Sequence, residues 1–183
     1  MKFRLHYRGR LKSNGSSGDK QQLRREFHPQ LADLWSRSPL VHQAEQFLSP
    51  HNREMCVVRN VGDWMFSAVV SKTHHLVADL DIVLMRPEEP GSLVTQGGDI
   101  DNRLKTLLDA LTIPKGNQIP VSDTQSPDES SLHCLFEDDN LITGLNVRVD
   151  RLLGSQDPSE VLIVIHVDIS ATKGTFKNLE LSL

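Results

Sequence analysis

The strongest constraint on what this chain folds into is the contrast between one leucine stripe and a series of β-branched runs. Leu104, Leu107, Leu108 and Leu111 recur at helical spacing, so residues 102–112 read as a helix that buries one face, with Asp101 as its N-cap. Residues 2–7 instead alternate, setting Phe3, Leu5 and Tyr7 on one face of a strand. Residues 55–58, 64–70, 76–85, 141–149 and 161–169 have the apolar, β-branched composition of further strands, with turns at 60–63 and 71–73. A flexible loop is expected at 12–19. Helices are expected at 20–35 and 40–48, interrupted near Ser38-Pro39 and stopped by Ser49-Pro50. No repeat of fixed period is present. The expected class is α+β, a mixed or mostly antiparallel sheet packed with helices. A chain of 183 residues, 38% hydrophobic, is long enough for one core and too short for two substantial ones, so 1–183 is expected to be a single domain.

Several function classes lack support. No apolar run approaches the roughly 20 residues that cross a bilayer, and the N-terminus has no apolar signal core, so neither membrane insertion nor secretion is expected. Cys56 and Cys134 are far apart and have no metal-binding spacing, which points to a reduced, cytoplasmic protein. The phosphate loop of nucleotide hydrolases, the dinucleotide fingerprint, the nucleophile elbow of acyl hydrolases and the zinc-protease helix are all missing from the sequence.

The chemistry is concentrated in Asp99-Ile100-Asp101-Asn102-Arg103-Leu104-Lys105, followed by Asp109, and in Glu137-Asp138-Asp139. If Asp99 to Asp101 is extended, period two places both carboxylates on one side of the backbone, where they can share a cation. Along the helix Asp101, Lys105 and Asp109 are successive i, i+4 neighbours, so one face carries acid, base, acid. Magnesium prefers oxygen ligands and keeps several waters, so one or two carboxylates and a substrate phosphate hold it, and a nearby lysine stabilises phosphate charge. A plainer reading makes Asp101 an N-cap, Lys105 its ion-pair partner together with Asp109, and 137–139 a solvated acidic turn.

The ordered set, D-x-D-N with Lys at plus four, Asp-Ala-Leu from plus eight and a later Asp-Asp, resembles the signature of the RusA family of Holliday junction resolvases. The resemblance is close over 99–140. It implies that Asp99, Asp101 and one of Asp138 and Asp139, Asp139 by preference, hold Mg2+, that Lys105 is the accompanying catalytic cation, and that Asp109 is a supporting acid. It also implies a homodimer that nicks opposing strands of a four-way DNA junction. Two features depart from the family pattern. Val94-Thr95-Gln96-Gly97-Gly98 stands where basic residues usually lead into the D-x-D, and 113–136 forms a long loop insertion where a short turn is usual. That loop leaves the choice among Glu137, Asp138 and Asp139 open, since a shift of one residue turns a different carboxylate inward.

Charge distribution bears on the partner. The net charge is −4, yet residues 1–60 hold 11 Lys or Arg against 5 Asp or Glu (+6), and residues 61–183 hold 9 against 19 (−10). Lys2, Arg4, Arg8, Arg10 and Lys12 are candidate DNA-phosphate contacts; the alternative is an edge strand blunted by charge. His74, His75, Asp79 and Asp81, like His166 and Asp168, read more simply as polar residues of half-exposed strands than as a second metal site. Trp35 and Trp64 read as core residues rather than base-stacking platforms. The competing functional expectation is a RusA-like DNA- or protein-binding domain without nuclease activity.

Overall fold

The computed structural model describes residues 1–52, 54–89, 99–120, 123–125 and 129–181. Four strands, β1 (Lys2–Arg10), β4 (Leu76–Arg86), β6 (Ile142–Arg151) and β7 (Glu160–Ala171), form one sheet in the order β1-β7-β4-β6. β7 runs antiparallel to both β1 and β4, whereas β6 runs parallel to β4. The second sheet has the order β2-β3-β5, with β2 (Val58–Val61) antiparallel and β5 (Leu132–Phe136) parallel to β3 (Trp64–Val70). The sheets are therefore mixed.

Alternation decides the first sheet. Val161, Ile163, Ile165, Val167 and Ile169 of β7 face the core with Leu76, Ala78, Leu80, Ile82 and Leu84 of β4 and Leu5 of β1. Helix α1 (Ser17–Trp35) covers them with Leu23, Phe27, Leu31 and Trp35, four residues or one turn apart. Its start is set by a capping box: Ser16 Oγ accepts from the Asp19 N–H, and the Asp19 carboxylate accepts from the Ser16 N–H at 2.9 Å. The expected loop at 12–19 therefore ends earlier, because the cap lies inside it. The expected helix at 40–48 is a 3-10 turn, Leu40–His42, followed by the single-turn helix α2 (Ala44–Phe47). The strand expected at 55–58 lies at Val58–Val61, closed against Trp64 by a tight turn in which Gly62 has φ of 59°.

Two corrections concern the motif region. The helix expected from Asn102 is α3 (Asp99–Leu111), which starts at Asp99, so Asp101 is interior rather than a cap. The 113–136 insertion is not all loop, since its last five residues are β5, buried throughout. One core cluster joins α1, α3 and both sheets, and a smaller one gathers Trp64, Phe66, Leu132 and Cys134. The result is a single-domain α+β fold. Among the described residues no helix is long and apolar enough to cross a membrane.

Candidate active-site cleft

Helix α3 is held along its length by α1 and the segment before it. Thr106, Leu107, Ala110 and Leu111 are buried, with Leu104 and Leu108 half-buried. The Gly15 N–H donates to Thr106 Oγ1 at 2.9 Å, and a Cβ on Gly15 would lie 2.6 Å from Thr106 Cγ2, so this approach requires glycine. Arg103 donates to the Leu11 carbonyl. At the C-terminal end the buried Arg24 donates to the carbonyls of Asp109 at 2.8 Å and Thr112 at 3.3 Å, satisfying groups that a helix end leaves unpaired. Lys20 Nζ pairs with the Asp109 carboxylate at 2.7 Å.

Beyond α3 the chain crosses to the end of β5. Thr112 bridges to Phe136, and the Ile113 N–H donates to the Phe136 carbonyl at 2.9 Å. These bonds set the last turn of α3 beside the 137–139 turn. Asp109, Thr112, Ile113, Pro114, Lys115 and Gln118 thus line one cleft of about 240 Å³ with Glu137, Asp138 and Asp139.

The three acids of the turn have different environments. Glu137 accepts from Arg59 Nε at 2.9 Å and from the Lys72 N–H at 2.8 Å, so both carboxylate oxygens are engaged. Arg59 is itself fixed by bonds to the carbonyls of Cys56 and Val58 and to Thr73 Oγ1. Asp138 caps the 3-10 turn Asp139–Leu141, accepting from the Asn140 N–H at 3.1 Å, and pairs with Lys72 Nζ at 2.9 Å. The lysine, and then the Asn140 amide, hold its carboxyl below the usual carboxylate range. Asp139 is exposed, and among the described residues no cation lies within ion-pair distance of it.

Measured against the sequence expectations, the structure brings Asp109, Asp138 and Asp139 together but leaves Asp101 outside the cleft. Asp99 and Asp101 are helical, and positions two apart on a helix are separated by about 200° around its axis, which removes the shared period-two face. The Asp99 side chain lies outside the described residues, as do Val94 to Gly98. Asp101 and Lys105 are exposed, line no part of the cleft, and make no ion pair among the described residues; Asp109 takes Lys20 instead. Asp101 is eight residues from Asp109, about 12 Å along the axis. No group of three or more His, Cys, Asp or Glu arranged to hold a metal occurs among the described residues.

The basic residues of β1 lie on an edge strand. Lys2, Arg4, Arg8 and Arg10 share its exposed face. Lys2 pairs with Asp168 at 2.8 Å, Arg8 with Glu160 at 2.8 Å, Arg10 with Asp157 at 3.2 Å and Lys12 with Asp19 at 2.8 Å. Of the five, only Arg4 has no ion pair among the described residues. Asp79 accepts from Thr143 Oγ1, and Asp81 from Asn146 and Arg148, as expected of a polar strand face. His74 is buried and stacked on Phe47 at 3.9 Å, while Trp35 and Trp64 are core residues. Both cysteines are free and buried.

Sequence reasoning missed Lys20, Arg24, Arg59, Lys72 and Lys115. Only Arg24 left a local signal, a charged residue beside Leu23 on the buried stripe of α1. No protein-family profile, no curated protein and no solved structure matches this chain.

Proposed function

We propose that the protein is a magnesium-dependent endodeoxyribonuclease of RusA type, acting as a homodimer on branched DNA such as a four-way junction. The observation that carries this reading is the division of labour at the acidic turn. Glu137 and Asp138 are engaged by Arg59 and Lys72, whereas Asp139 faces a cleft shared with the α3 carboxylate Asp109 and has no cation of its own. That difference supports Asp139, rather than Glu137 or Asp138, as the metal ligand of the turn.

The donor set fits magnesium, because every candidate is a carboxylate oxygen and no thiolate or imidazole lines the cleft. Asp139 would hold the ion in the cleft; Asp101 and Lys105, which the motif implies as a ligand and the catalytic cation, line no part of it, so the described residues supply only part of the implied site. When bound, the metal would polarise the scissile phosphate and lower the pKa of an attacking water. Arg59 and Lys72 hold the turn in place, and Lys20 and Arg24 hold the end of α3. A C2 dimer presents two equivalent sites to the two equivalent strands of a junction.

The test is incubation of wild type, Asp101→Asn and Asp139→Asn with a labelled four-way junction and a matched linear duplex, with and without Mg2+. Paired nicks in the junction by wild type alone, with binding retained in both variants, are expected. Magnesium-dependent nicking by Asp139→Asn overturns the assignment. A second reading, a RusA-like domain that binds DNA or protein without cutting, draws on the Asp109–Lys20 pair and on the missing three-carboxylate group among the described residues. Tight junction binding by a wild type that never nicks selects it.

A further inference from the structure

The cleft contains a cation that the motif does not account for. Lys115 is the one basic residue among those lining the cleft. It is not a floppy surface lysine by backbone. The preceding Ile113 is bonded to Phe136 and Pro114 is buried; the Lys115 N–H then donates to Gln118 Oε1 at 2.9 Å, and the Gln118 N–H returns to the Lys115 carbonyl at 2.8 Å. The segment from 113 to 118 therefore presents Lys115 at a fixed place on the wall.

The neighbouring carboxylates already have partners. Asp109 is paired with Lys20, Glu137 with Arg59 and Asp138 with Lys72. Lys115 is exposed and, among the described residues, no carboxylate lies within ion-pair distance of its ammonium. It is therefore not needed to neutralise the resting acids. A phosphodiester entering the cleft brings a negative charge toward Asp139, and a compact ammonium from the same lining offsets that repulsion. Lys105, outside the cleft, is not placed to do so.

We propose that Lys115 is a substrate-binding residue of this cleft, contacting a backbone phosphate of the DNA that lies against Asp139. The inference rests on the nuclease reading and adds a phosphate contact from the segment that replaces the family's short turn.

The experiment compares wild type, Lys115→Ala, Lys115→Arg and Lys105→Ala with a four-way junction at saturating Mg2+, and measures junction binding against salt in an Asp139→Asn background. Lys115→Ala is expected to raise KM several-fold, to change kcat less, and to reduce the slope of log affinity against log salt by about 0.9, the share of one phosphate contact. Lys115→Arg is expected to restore both, and an unchanged melting temperature separates the effect from folding. An active wild type whose Lys115→Ala variant keeps the same KM and salt slope overturns this proposal and leaves the nuclease reading standing. A wild type that neither binds nor nicks the junction overturns both.

Discussion

Arg24 Nη2 donates to the main-chain carbonyl of Asp109 at 2.8 Å, so a buried side chain of α1 caps the helix that carries the acidic motif. The same guanidinium reaches Thr112 and Gln21 and lies 5.9 Å from the centre of the Phe66 ring. Helix-end carbonyls, the ring and the charge of Asp109 partly offset the cost of burial, which on balance lowers its pKa. Arg24→Ala removes bonds to two carbonyls and opens a cavity, with an expected loss of about 2–4 kcal/mol in urea unfolding. Arg24→Met, which keeps the stem, is expected to lose less. Equal losses would show that capping rather than packing dominates.

The Glu137–Arg59 tie makes a second prediction. Glu137→Ala leaves the Lys72 N–H and the Arg59 Nε–H without an acceptor, an expected cost of about 1–3 kcal/mol. It also frees the turn that carries Asp139, so nicking should fall by more than the stability loss explains at temperatures well below unfolding. Glu137→Gln retains an acceptor and is expected to recover most of both. Wild-type stability in Glu137→Ala would remove Glu137 as an anchor of the turn.

Acid sensitivity follows from two buried histidines. Burial lowers His74 and His133 from 6.5 to about 4. A depressed histidine binds fewer protons folded than unfolded, so its stabilisation is complete above pH 6.5 and is lost as pH falls toward 4. Stability should therefore decline between pH 6.5 and 4, before Asp19 and Asp157, each lowered to about 2 by hydrogen bonds and ion pairs, begin to protonate. His133→Gln, which preserves a partner for Ser67 Oγ, should flatten the decline in a series of urea titrations from pH 7 to 4. An unchanged slope would place the proton uptake elsewhere.

How much of this was legible depends on whether a residue's meaning is local. The strand at Trp64–Val70 and the leucine stripe of α3 are written in adjacent residues, and both were read directly. Leu132–Phe136 was not, because it is buried on both faces, carries His133 and Cys134, and follows a stretch rich in proline, serine and aspartate, so period two never appears. The start of α3 was misplaced because its first residues are polar and contribute nothing to the stripe. The cleft was half legible: its acids are a sequence motif, but the cations that sort them are distant. Arg59 lies 78 residues from Glu137 and Lys20 lies 89 residues from Asp109, and neither pairing leaves a local pattern.

Lys72 distinguishes a metal cleft from a merely acidic turn. Its ion pair with Asp138 is exposed and solvent-screened, so Lys72→Met should leave the melting temperature almost unchanged. Its electrostatic effect at the cleft is larger in consequence, because the ammonium sits in the field of Glu137, Asp138 and Asp139 together. Removing it leaves Asp138 uncompensated beside Asp139 while Arg59 still anchors the turn. A divalent cation should then bind more tightly and an anionic duplex more weakly. Calorimetric titration with Mg2+ should show a lower dissociation constant for Lys72→Met than for wild type, and a junction-binding assay without metal should show reduced affinity. Magnesium affinity equal to wild type would mean that the ion does not bind at the 137–139 turn, and would move the metal site away from Asp139.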